Sequence, residues 1–327
     1  MKSAICTLFE GDYHYGVGAL TNSLYHHGFR GIVWAGYRGK LPPWAKNIKE
    51  YEKYQEYIVA EDCAIRFVKL DTNYHLTNYK PKFMLSLWKE FCPETEALFY
   101  FDPDIVIKCR WSYFEEWVTY GVALCEDINS PVPDNHPLRM AWRKFFEPHG
   151  FIFNRQIDIY INGGFIGVTN TRENFLHNWS KIQEIMAPEV GGLQNANLGL
   201  QKADLADLTD QKRSLFAEFG RTFLFDKTDQ DAMNISLMTT SCAISLMGKE
   251  GMDIISGGFT MSHAVGSVKP WRKKMFLSAL RIGKRPTLAD KGYWQHVQSP
   301  IKLYSAYELF WKKFDLLFAT IVARILS

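Results

Sequence analysis

LFYFDPDIVI, residues 98–107, places two carboxylates one residue apart directly after an apolar run. The run predicts a buried strand that ends near Pro103, because proline lacks a backbone N–H for a sheet hydrogen bond. Asp102 and Asp104 can then point from the strand end toward one ion. Mg²⁺ or Mn²⁺ held by few carboxylates keeps coordination positions open for the oxygens of a diphosphate. The stretch therefore predicts a divalent metal site, with an ordinary solvated turn as the alternative.

Apolar runs typical of buried strands recur along the chain, at residues 4–9, 31–35, 65–70, 97–101 and 121–124. Helical patterns lie between them, notably at 18–27 and 79–91. This alternation predicts an α/β fold with a mostly parallel, doubly wound sheet flanked by helices, in which ligands bind beyond the carboxyl ends of the strands. Further on, residues 157–168 predict a strand pair bent at Gly163-Gly164, and residues 229–238 predict a helix.

The composition predicts a packed core and excludes some classes of partner. Of the 327 residues, 47% are hydrophobic and 15% aromatic, which argues against disorder. A formal charge of +3 is too small to indicate a nucleic-acid footprint. Six cysteines without a CxxC pair predict buried structural thiols in a reducing compartment. Because the apolar start is too short for a signal peptide, the predicted location is cytoplasmic.

The chain becomes basic and aromatic from Trp271 onward, which predicts a catalytic domain at 1–275 and a helical appendage at 276–327. No stretch reaches the ~20 apolar residues of a spanning helix. Two hypotheses remain for residues 294–326: the segment lies on the inner face of a membrane, or it packs on the catalytic domain or another subunit. Two insertions are also predicted. Residues 134–155 are expected to shape an acceptor pocket, and residues 188–221 are expected to form a mobile segment.

Three further polar clusters carry potential chemistry: Asn162-Gly163-Gly164, Asp229-Gln230-Asp231 and the stretch SHAVGSVKPW at 262–271. The last combines His263 as a metal ligand, Gly266 for close backbone approach and Lys269 as a cation for a phosphate. Taken singly, each cluster is equally explained by a cap, a turn or an ordinary histidine.

The order of these four elements resembles glycosyltransferase family 8, which includes glycogenin and bacterial lipopolysaccharide galactosyl- and glucosyltransferases. The resemblance covers residues 4–275 and implies a GT-A fold. It further implies a retaining, metal-dependent transfer of a sugar from a nucleotide diphosphate sugar, with UDP favoured. The implied acceptor is a glycan or a lipid-linked glycan, and the implied context is bacterial surface polysaccharide or lipopolysaccharide synthesis.

The resemblance also assigns roles to individual residues. Asp102 and Asp104 match the DxD motif, and His263, in the HxxGxxKPW motif, would complete a site for Mn²⁺ or Mg²⁺. Gly266 and Lys269 match the same motif, and Lys269 would bind the diphosphate. The place of the nucleoside-binding loop is occupied by Thr7, Leu8, Phe9, Glu10 and Tyr13, although Glu10-Gly11-Asp12 departs from the family's small-residue pattern and leaves the nucleobase open.

The donor sugar is assigned to two of the polar clusters. Asn162, Gly163 and Gly164 resemble the strand that touches the sugar, and Asp229, Gln230 and Asp231 match the DQD motif letter for letter. Gln230 would lie near the reacting carbon, with the two aspartates orienting the sugar. A basic residue before the DxD strand contacts the donor in this family, and Lys82 is assigned this role, with Lys80 as the alternative. Asp127 lies where the family often has another sugar-binding aspartate.

Other functions remain open at the level of sequence. An inverting transferase would use Asp231 or Asp127 as general base. A catalytically silent nucleotide-sugar-binding or assembly protein would keep the same fold. A sugar nucleotidyltransferase is disfavoured, since no Gly-rich loop with Arg and Lys follows the first strand. The sequence does not specify the donor sugar, the acceptor, the linkage or the oligomeric state.

Overall fold

The computed structural model describes residues 1–196 and 224–326 of a mixed α/β protein. Clustering of contacts divides the chain into two compact units. Unit 1 comprises residues 1–71, 97–117 and 247–327, and unit 2 comprises residues 72–96 and 118–246. The appendage predicted at 276–327 falls in unit 1, and most of the insertion predicted at 188–221 lies outside the described residues.

The strands are β1 (Ser3–Glu10), β2 (Gly31–Arg38), β3 (Lys49–Glu50), β4 (Gln55–Ala60), β5 (Cys63–Lys69), β6 (Ala97–Phe101), β7 (Ile105–Ile107), β8 (Val122–Cys125), β9 (Phe165–Thr169), β10 (Ile244–Met247) and β11 (Met261–His263). The helices are α1 (His14–His26), α2 (Lys80–Ser86), α3 (Trp111–Tyr120), α4 (Pro137–Phe146), α5 (Asn174–Met186), α6 (Thr228–Thr239), α7 (Met275–Ile282), α8 (Leu288–Gln295) and α9 (Ala306–Leu326). Within this described part of the chain, no helix has the length and apolarity needed to cross a membrane.

Unit 1 contains a mostly parallel sheet in the order β6-β1-β2-β5-β4-β3. β1 pairs in parallel with β6 and β2, and β2 with β5, while β4 is antiparallel to both of its neighbours. Every residue of β6 is buried. This confirms the parallel sheet predicted from the apolar runs. Because parallel strands end at one edge of a sheet, the residues that follow β1 and β6 are brought to a common edge.

A second, two-stranded ladder in unit 1 holds the histidine of the predicted metal site. β7 and β11 are antiparallel, and Ile105 is opposite His263. Ala264 N–H donates to the Asp104 carbonyl at 3.1 Å, which extends the ladder by one bond. The ladder therefore fixes His263 beside the residues that follow β6.

In unit 2 the strand order is β10-β8-β9, and α5 packs against α6. Helix α6 confirms the helix predicted at 229–238, and residues 228–238 are all buried. The strand pair predicted at 157–168 is wrong in its first half, since only Phe165–Thr169 is a strand. Within the first half, Ile161 forms an isolated antiparallel bridge with Glu126, and Asn234 of α6 bonds the N–H and the C=O of Ile161 at 2.9 and 3.0 Å.

The cysteines agree with the expectation of structural thiols. All six are free, and Cys6, Cys63, Cys92 and Cys125 are buried. Burial raises the pKa of the Cys63 thiol to about 12, which keeps it protonated.

Candidate active site

Asp102, Asp104 and His263 form a cluster in unit 1 whose potential ligand atoms all lie within 4.8 Å of one another. His263 Nε2 is 3.4 Å from Asp104 Oδ1 and 3.9 Å from Asp102 Oδ2. Asp102 follows β6, Asp104 precedes β7 and His263 ends β11, so three elements position the three side chains. Tyr100 OH donates to Asp102 Oδ1 at 2.9 Å and orients that carboxylate. Among the described residues, no other cluster of this kind is present.

Lys269 adds a cation to this cluster. Its Nζ lies 2.5 Å from Asp104 Oδ2 and donates to the Ala264 carbonyl at 3.2 Å. Burial acts to raise the pKa of Asp104, but His263 and Lys269 outweigh it and hold that pKa below its usual range. Burial likewise acts to lower the pKa of Lys269, but Asp104 outweighs it and raises that pKa. Both groups are therefore ionised at neutral pH.

The donor set fits a small divalent cation. Bonds of ~2.1 Å at octahedral angles place the ligands of one ion roughly 3–4 Å apart, as found here for His263 Nε2 and the two carboxylates. Carboxylates with one imidazole suit Mn²⁺ or Mg²⁺. His263 Nδ1 is buried and has no hydrogen-bond partner within the described part of the chain, so the ring directs its polar contacts through Nε2. Asp102, Asp104 and His263 are thus the residues that would hold the ion.

The segment after β1 lies against the segment that carries Lys269. The Tyr13 ring is 5.4 Å from the Trp271 ring, and Lys269 Nζ is 6.0 Å from the Tyr13 centroid. Asp12 and Arg272 form an ion pair, with Arg272 Nε 2.6 Å from Asp12 Oδ2. The structure therefore places Tyr13, which the resemblance assigns to the nucleoside-binding loop, close to Lys269 beside the Asp102, Asp104 and His263 cluster. It adds Arg272, which sequence reasoning missed although Arg272 directly follows the HxxGxxKPW motif.

The other residues assigned to the nucleoside differ in exposure. Thr7, Leu8 and Phe9 are buried within β1, and Phe9 packs against Tyr37 and Phe67. Glu10 ends β1 at the surface and pairs with Arg38 at 2.8 Å. Gly266, in the loop between His263 and Lys269, has φ of +108°, a conformation that favours glycine.

A second polar cluster, in unit 2, joins the Asn162-Gly163-Gly164 stretch to the start of α6. Gly163 N–H donates to Gln230 Oε1 at 2.9 Å. Lys80 Nζ donates to the Gly163 carbonyl at 2.7 Å and pairs with Asp229 Oδ2 at 2.9 Å. A Cβ at Gly163 would lie 2.9 Å from Asp229 Oδ2, so only glycine fits without displacing that carboxylate.

Asn162 connects this cluster to the aspartate that follows β8. Asn162 Nδ2 donates to Asp127 Oδ2 at 2.6 Å, and Asn162 Oδ1 accepts from Gly164 N–H at 2.8 Å. Asp127 Oδ1 accepts from Asn129 N–H at 3.0 Å. The structure thus brings Asp127 into the same network as the predicted sugar-contacting residues.

Asp231 is a carboxyl group of unit 2 whose pKa is strongly perturbed. Burial raises its pKa to about 7, against the hydrogen bonds from Tyr160 OH and Lys227 N–H, which lower it. These bonds measure 2.5 and 2.9 Å and occupy both carboxylate oxygens. Tyr160 was not identified from the sequence, because its alternating neighbours 157–161 resemble an ordinary strand.

Lys80, rather than Lys82, contacts the sugar-assigned residues. Lys82 Nζ pairs with Glu184 at 2.9 Å and contacts Tyr74 OH at 3.3 Å, with its side chain 33% exposed. Thr77 and Trp179, also not anticipated, hold Asp229 through bonds to its side chain at 3.3 Å and to its carbonyl at 3.0 Å. No sequence signal marks these two positions.

Comparisons with known proteins give similarity to solved structures. No protein-family model matches the sequence, and no curated protein matches it. The chain is similar to a solved structure described as the apo structure of the WbbM bifunctional glycosyltransferase, with 14% sequence identity and a TM-score of 0.49. The similarity covers 94% of this chain and 51% of that one, so the chain spans about half of its length.

Proposed function

We propose that this protein is a metal-dependent glycosyltransferase that moves a sugar from a nucleotide diphosphate sugar, with UDP as the favoured nucleotide. The observation that carries the proposal is the cluster of Asp102, Asp104 and His263 with Lys269 beside it. Lys269 is 165 residues from Asp104 in the sequence, so the fold assembles the cluster from distant segments. The resemblance to glycosyltransferase family 8 supports the same function through the same residues.

Asp102, Asp104 and His263 would hold a divalent ion, which would supply positive charge to neutralise a diphosphate leaving group. Lys269 supports this chemistry because its side chain is only 12% exposed, its ammonium group is charged, and it already lies at the cluster. When phosphate oxygens are present, we expect Lys269 to donate to them as well as to Asp104, so that the charge that develops on the departing nucleotide is stabilised. Tyr13, next to Lys269, borders the same side of the cluster.

For the polar network of unit 2 we propose the role that the resemblance implies, which is to orient the donor sugar. Hydrogen bonds fix its side chains, since Gln230 Oε1 accepts from Gly163 N–H and Asp229 pairs with Lys80. A fixed network can bind the sugar with little loss of side-chain entropy. Both oxygens of Asp231 already accept hydrogen bonds, which favours an orienting role over that of a general base.

The proposal is tested by nucleotide release from a panel of UDP-, GDP-, CMP- and ADP-sugars, with Mn²⁺ or with a chelator. Slow donor hydrolysis needs no identified acceptor. We expect release from one donor, loss of release with chelator, and a decrease of roughly 100-fold or more in Asp104→Asn, because electrostatic stabilisation is lost. NMR of the released sugar's anomer then distinguishes retention from inversion.

A control and a second readout make the test specific. Asp62→Asn removes an exposed carboxylate that pairs with Arg30 at the surface, and it should leave release unchanged. Mn²⁺ should raise the melting temperature of the wild type and of Asp62→Asn, but not of Asp104→Asn. Equal release and equal Mn²⁺ stabilisation in both variants would contradict the proposal. Stabilisation by a donor without any release would instead support the silent binding protein.

We extend the proposal to the acceptor by resemblance only. A glycan or a lipid-linked glycan in bacterial surface polysaccharide or lipopolysaccharide synthesis is the acceptor class that the family likeness favours. Supplying candidate acceptors to the donor-hydrolysis assay tests this class, since a true acceptor should accelerate nucleotide release above the hydrolysis rate and yield a longer glycan by mass spectrometry.

A further inference from the structure

Helix α9 exposes an apolar stripe along its whole length. The stripe consists of Tyr307, Phe310, Phe314, Leu317, Ile321 and Ile325, which are between 42% and 77% exposed. Successive members are three or four residues apart, so they lie on one face of the helix. An exposed apolar surface of this extent is typical of an interaction site.

The opposite face of α9 is already occupied within unit 1. Ala319 and Ala323 are fully buried, and α9 packs against α7. Asp315 accepts from the N–H groups of Met275 and Phe276 at the start of α7, at 3.0 and 2.9 Å. The helix is therefore fixed by one face, and the stripe is a separate surface.

The charge around α9 identifies the partner. Residues 272–326 contain eleven Lys and Arg against three Asp and Glu, whereas the whole chain has 38 against 35. The remainder of the chain is thus net negative, and the positive charge is concentrated in this segment. Lys313 and Arg324 are exposed and lie within a helical turn of stripe residues, with side chains long enough to reach past an apolar boundary. Polar surroundings of one sign complement an anionic surface.

We propose that α9 lies in the plane of an anionic lipid surface. The stripe enters the boundary between head groups and acyl chains, and the basic residues contact the head groups. Trp311 and Tyr307, which are 49% and 72% exposed, have the amphipathic rings that favour this depth. A spanning arrangement is not available to the described helices.

Vesicle flotation of the full chain tests the stripe. We expect the wild type to bind phosphatidylcholine vesicles that contain about 30% phosphatidylglycerol, and the triple variant Phe310→Ser, Leu317→Ser, Ile325→Ser to lose binding about tenfold or more. The matched control, Ile58→Ser, Ile152→Ser, Ile255→Ser, removes three exposed apolar side chains elsewhere and should bind as the wild type does. Equal flotation of the stripe variant and the wild type would overturn the proposal, as would no flotation of the wild type.

The charge contribution is tested with a second pair of variants. The first variant removes four exposed basic residues of the segment: Lys284→Gln, Arg285→Gln, Lys313→Gln, Arg324→Gln. It should bind the anionic vesicles more weakly than the wild type, and its binding should depend less on salt concentration. The control variant removes four exposed lysines outside the segment: Lys40→Gln, Lys46→Gln, Lys49→Gln, Lys53→Gln. It should bind the anionic vesicles as the wild type does. Binding of the wild type to pure phosphatidylcholine that is as strong as to anionic vesicles would contradict the role assigned to charge.

Two further measurements separate this proposal from its alternatives. If the wild type is a dimer by analytical ultracentrifugation and the stripe variant a monomer that still binds vesicles, then the stripe binds a second copy of the chain and the membrane proposal is wrong. Donor hydrolysis in detergent-free solution should be the same in the stripe variant and the wild type, since no stripe residue belongs to the metal cluster. Failure of membrane binding would therefore leave the proposed transferase activity intact.

Discussion

At the residue scale, Lys80 and Lys82 form a natural pair for comparison. Lys80 is 1% exposed and pairs with Asp229, so Lys80→Met leaves a buried carboxylate without its counter-ion. We expect the free energy of unfolding, measured with urea, to fall by roughly 3–5 kcal/mol in Lys80→Met. Lys82→Met, which removes a surface pair with Glu184, should change it by less than about 1 kcal/mol. The double variant Lys80→Met, Asp229→Leu should recover part of the loss, and equal effects of the two single variants would show that the pair is not buried in solution.

A second prediction at this scale concerns the pH dependence contributed by Asp231. Its pKa is about 7 in the folded protein and near the ordinary 3.8 when unfolded, with Tyr160, Lys227 and Asp226 as its polar and charged neighbours. Between about pH 4 and pH 7, Asp231 is therefore protonated in the folded protein and ionised in the unfolded chain. The contribution of Asp231 to the free energy of unfolding falls as pH rises through that window. In Asp231→Asn this contribution is absent, and the amide can accept from Lys227 N–H while it donates to Tyr160.

The measurement is urea unfolding of the wild type and Asp231→Asn at several pH values. As pH rises, the unfolding free energy of Asp231→Asn should increase relative to that of the wild type by as much as about 1.4 kcal/mol per pH unit. Above about pH 8 the difference between the two proteins should be constant. Parallel profiles over the whole range would mean that Asp231 has an ordinary pKa in the folded protein.

At the scale of elements, α1 is held against the Asp102–Asp104 turn by a glycine. A Cβ at Gly16 would lie 2.2 Å from the Pro103 carbonyl oxygen, whereas a Cβ at Gly18 would meet only the side chain of Leu303, at 2.3 Å. The Pro103 backbone cannot move aside as the Leu303 side chain can. We expect Gly16→Ala to weaken Mn²⁺ binding and lower stability by about 1–3 kcal/mol, although alanine favours helix.

Gly18→Ala is the matched control on the same helix, and it should leave Mn²⁺ binding unchanged with a smaller loss of stability. Calorimetric titration with Mn²⁺ and thermal unfolding measure the two effects. Wild-type Mn²⁺ affinity in Gly16→Ala would show that the turn tolerates displacement of α1.

The long buried strands could be predicted from the sequence, and the short elements that orient the site could not. The strands β1, β2, β5 and β6 are mostly apolar segments. Burial of such segments from solvent is sufficient to make them recognisable as strands in the sequence. β7 and β11 have three residues each, too few for a periodic signal, yet their register places His263. At 157–161 the alternating pattern was misleading, because the segment forms only an isolated bridge at Ile161, whose backbone N–H and C=O are bonded by the Asn234 side chain. Which of Lys80 and Lys82 contacts Gly163 and Asp229 depends on the face of α2 on which each lysine lies. The local sequence, with one lysine on each side of Pro81, does not indicate that face.

At the scale of the whole molecule, composition predicted a large core but not the division into two units. Contiguous boundaries at 1–275 and 276–327 were expected from a shift in charge, whereas unit 1 combines three separate segments. Local composition carries no signal for such a division, because each segment of unit 1 contributes buried strands or helices to a shared core only after long-range pairing. The motifs of the site were recognisable because their order along the chain, rather than their surroundings, resembles a known family.

The three-segment construction of unit 1 also sets an order of events during synthesis. β1 can pair with β2 early, but its other edge pairs with β6 and must wait for residues 97–101. An intervening part of unit 2 is then made before residues 247–327 arrive. Asp104 meets Lys269 only after 165 further residues have been translated. The nascent chain therefore carries an incomplete unit 1 with exposed apolar strands for most of its time on the ribosome, a period in which chaperones would shield it. A translational pause after residue 117 would prolong that period.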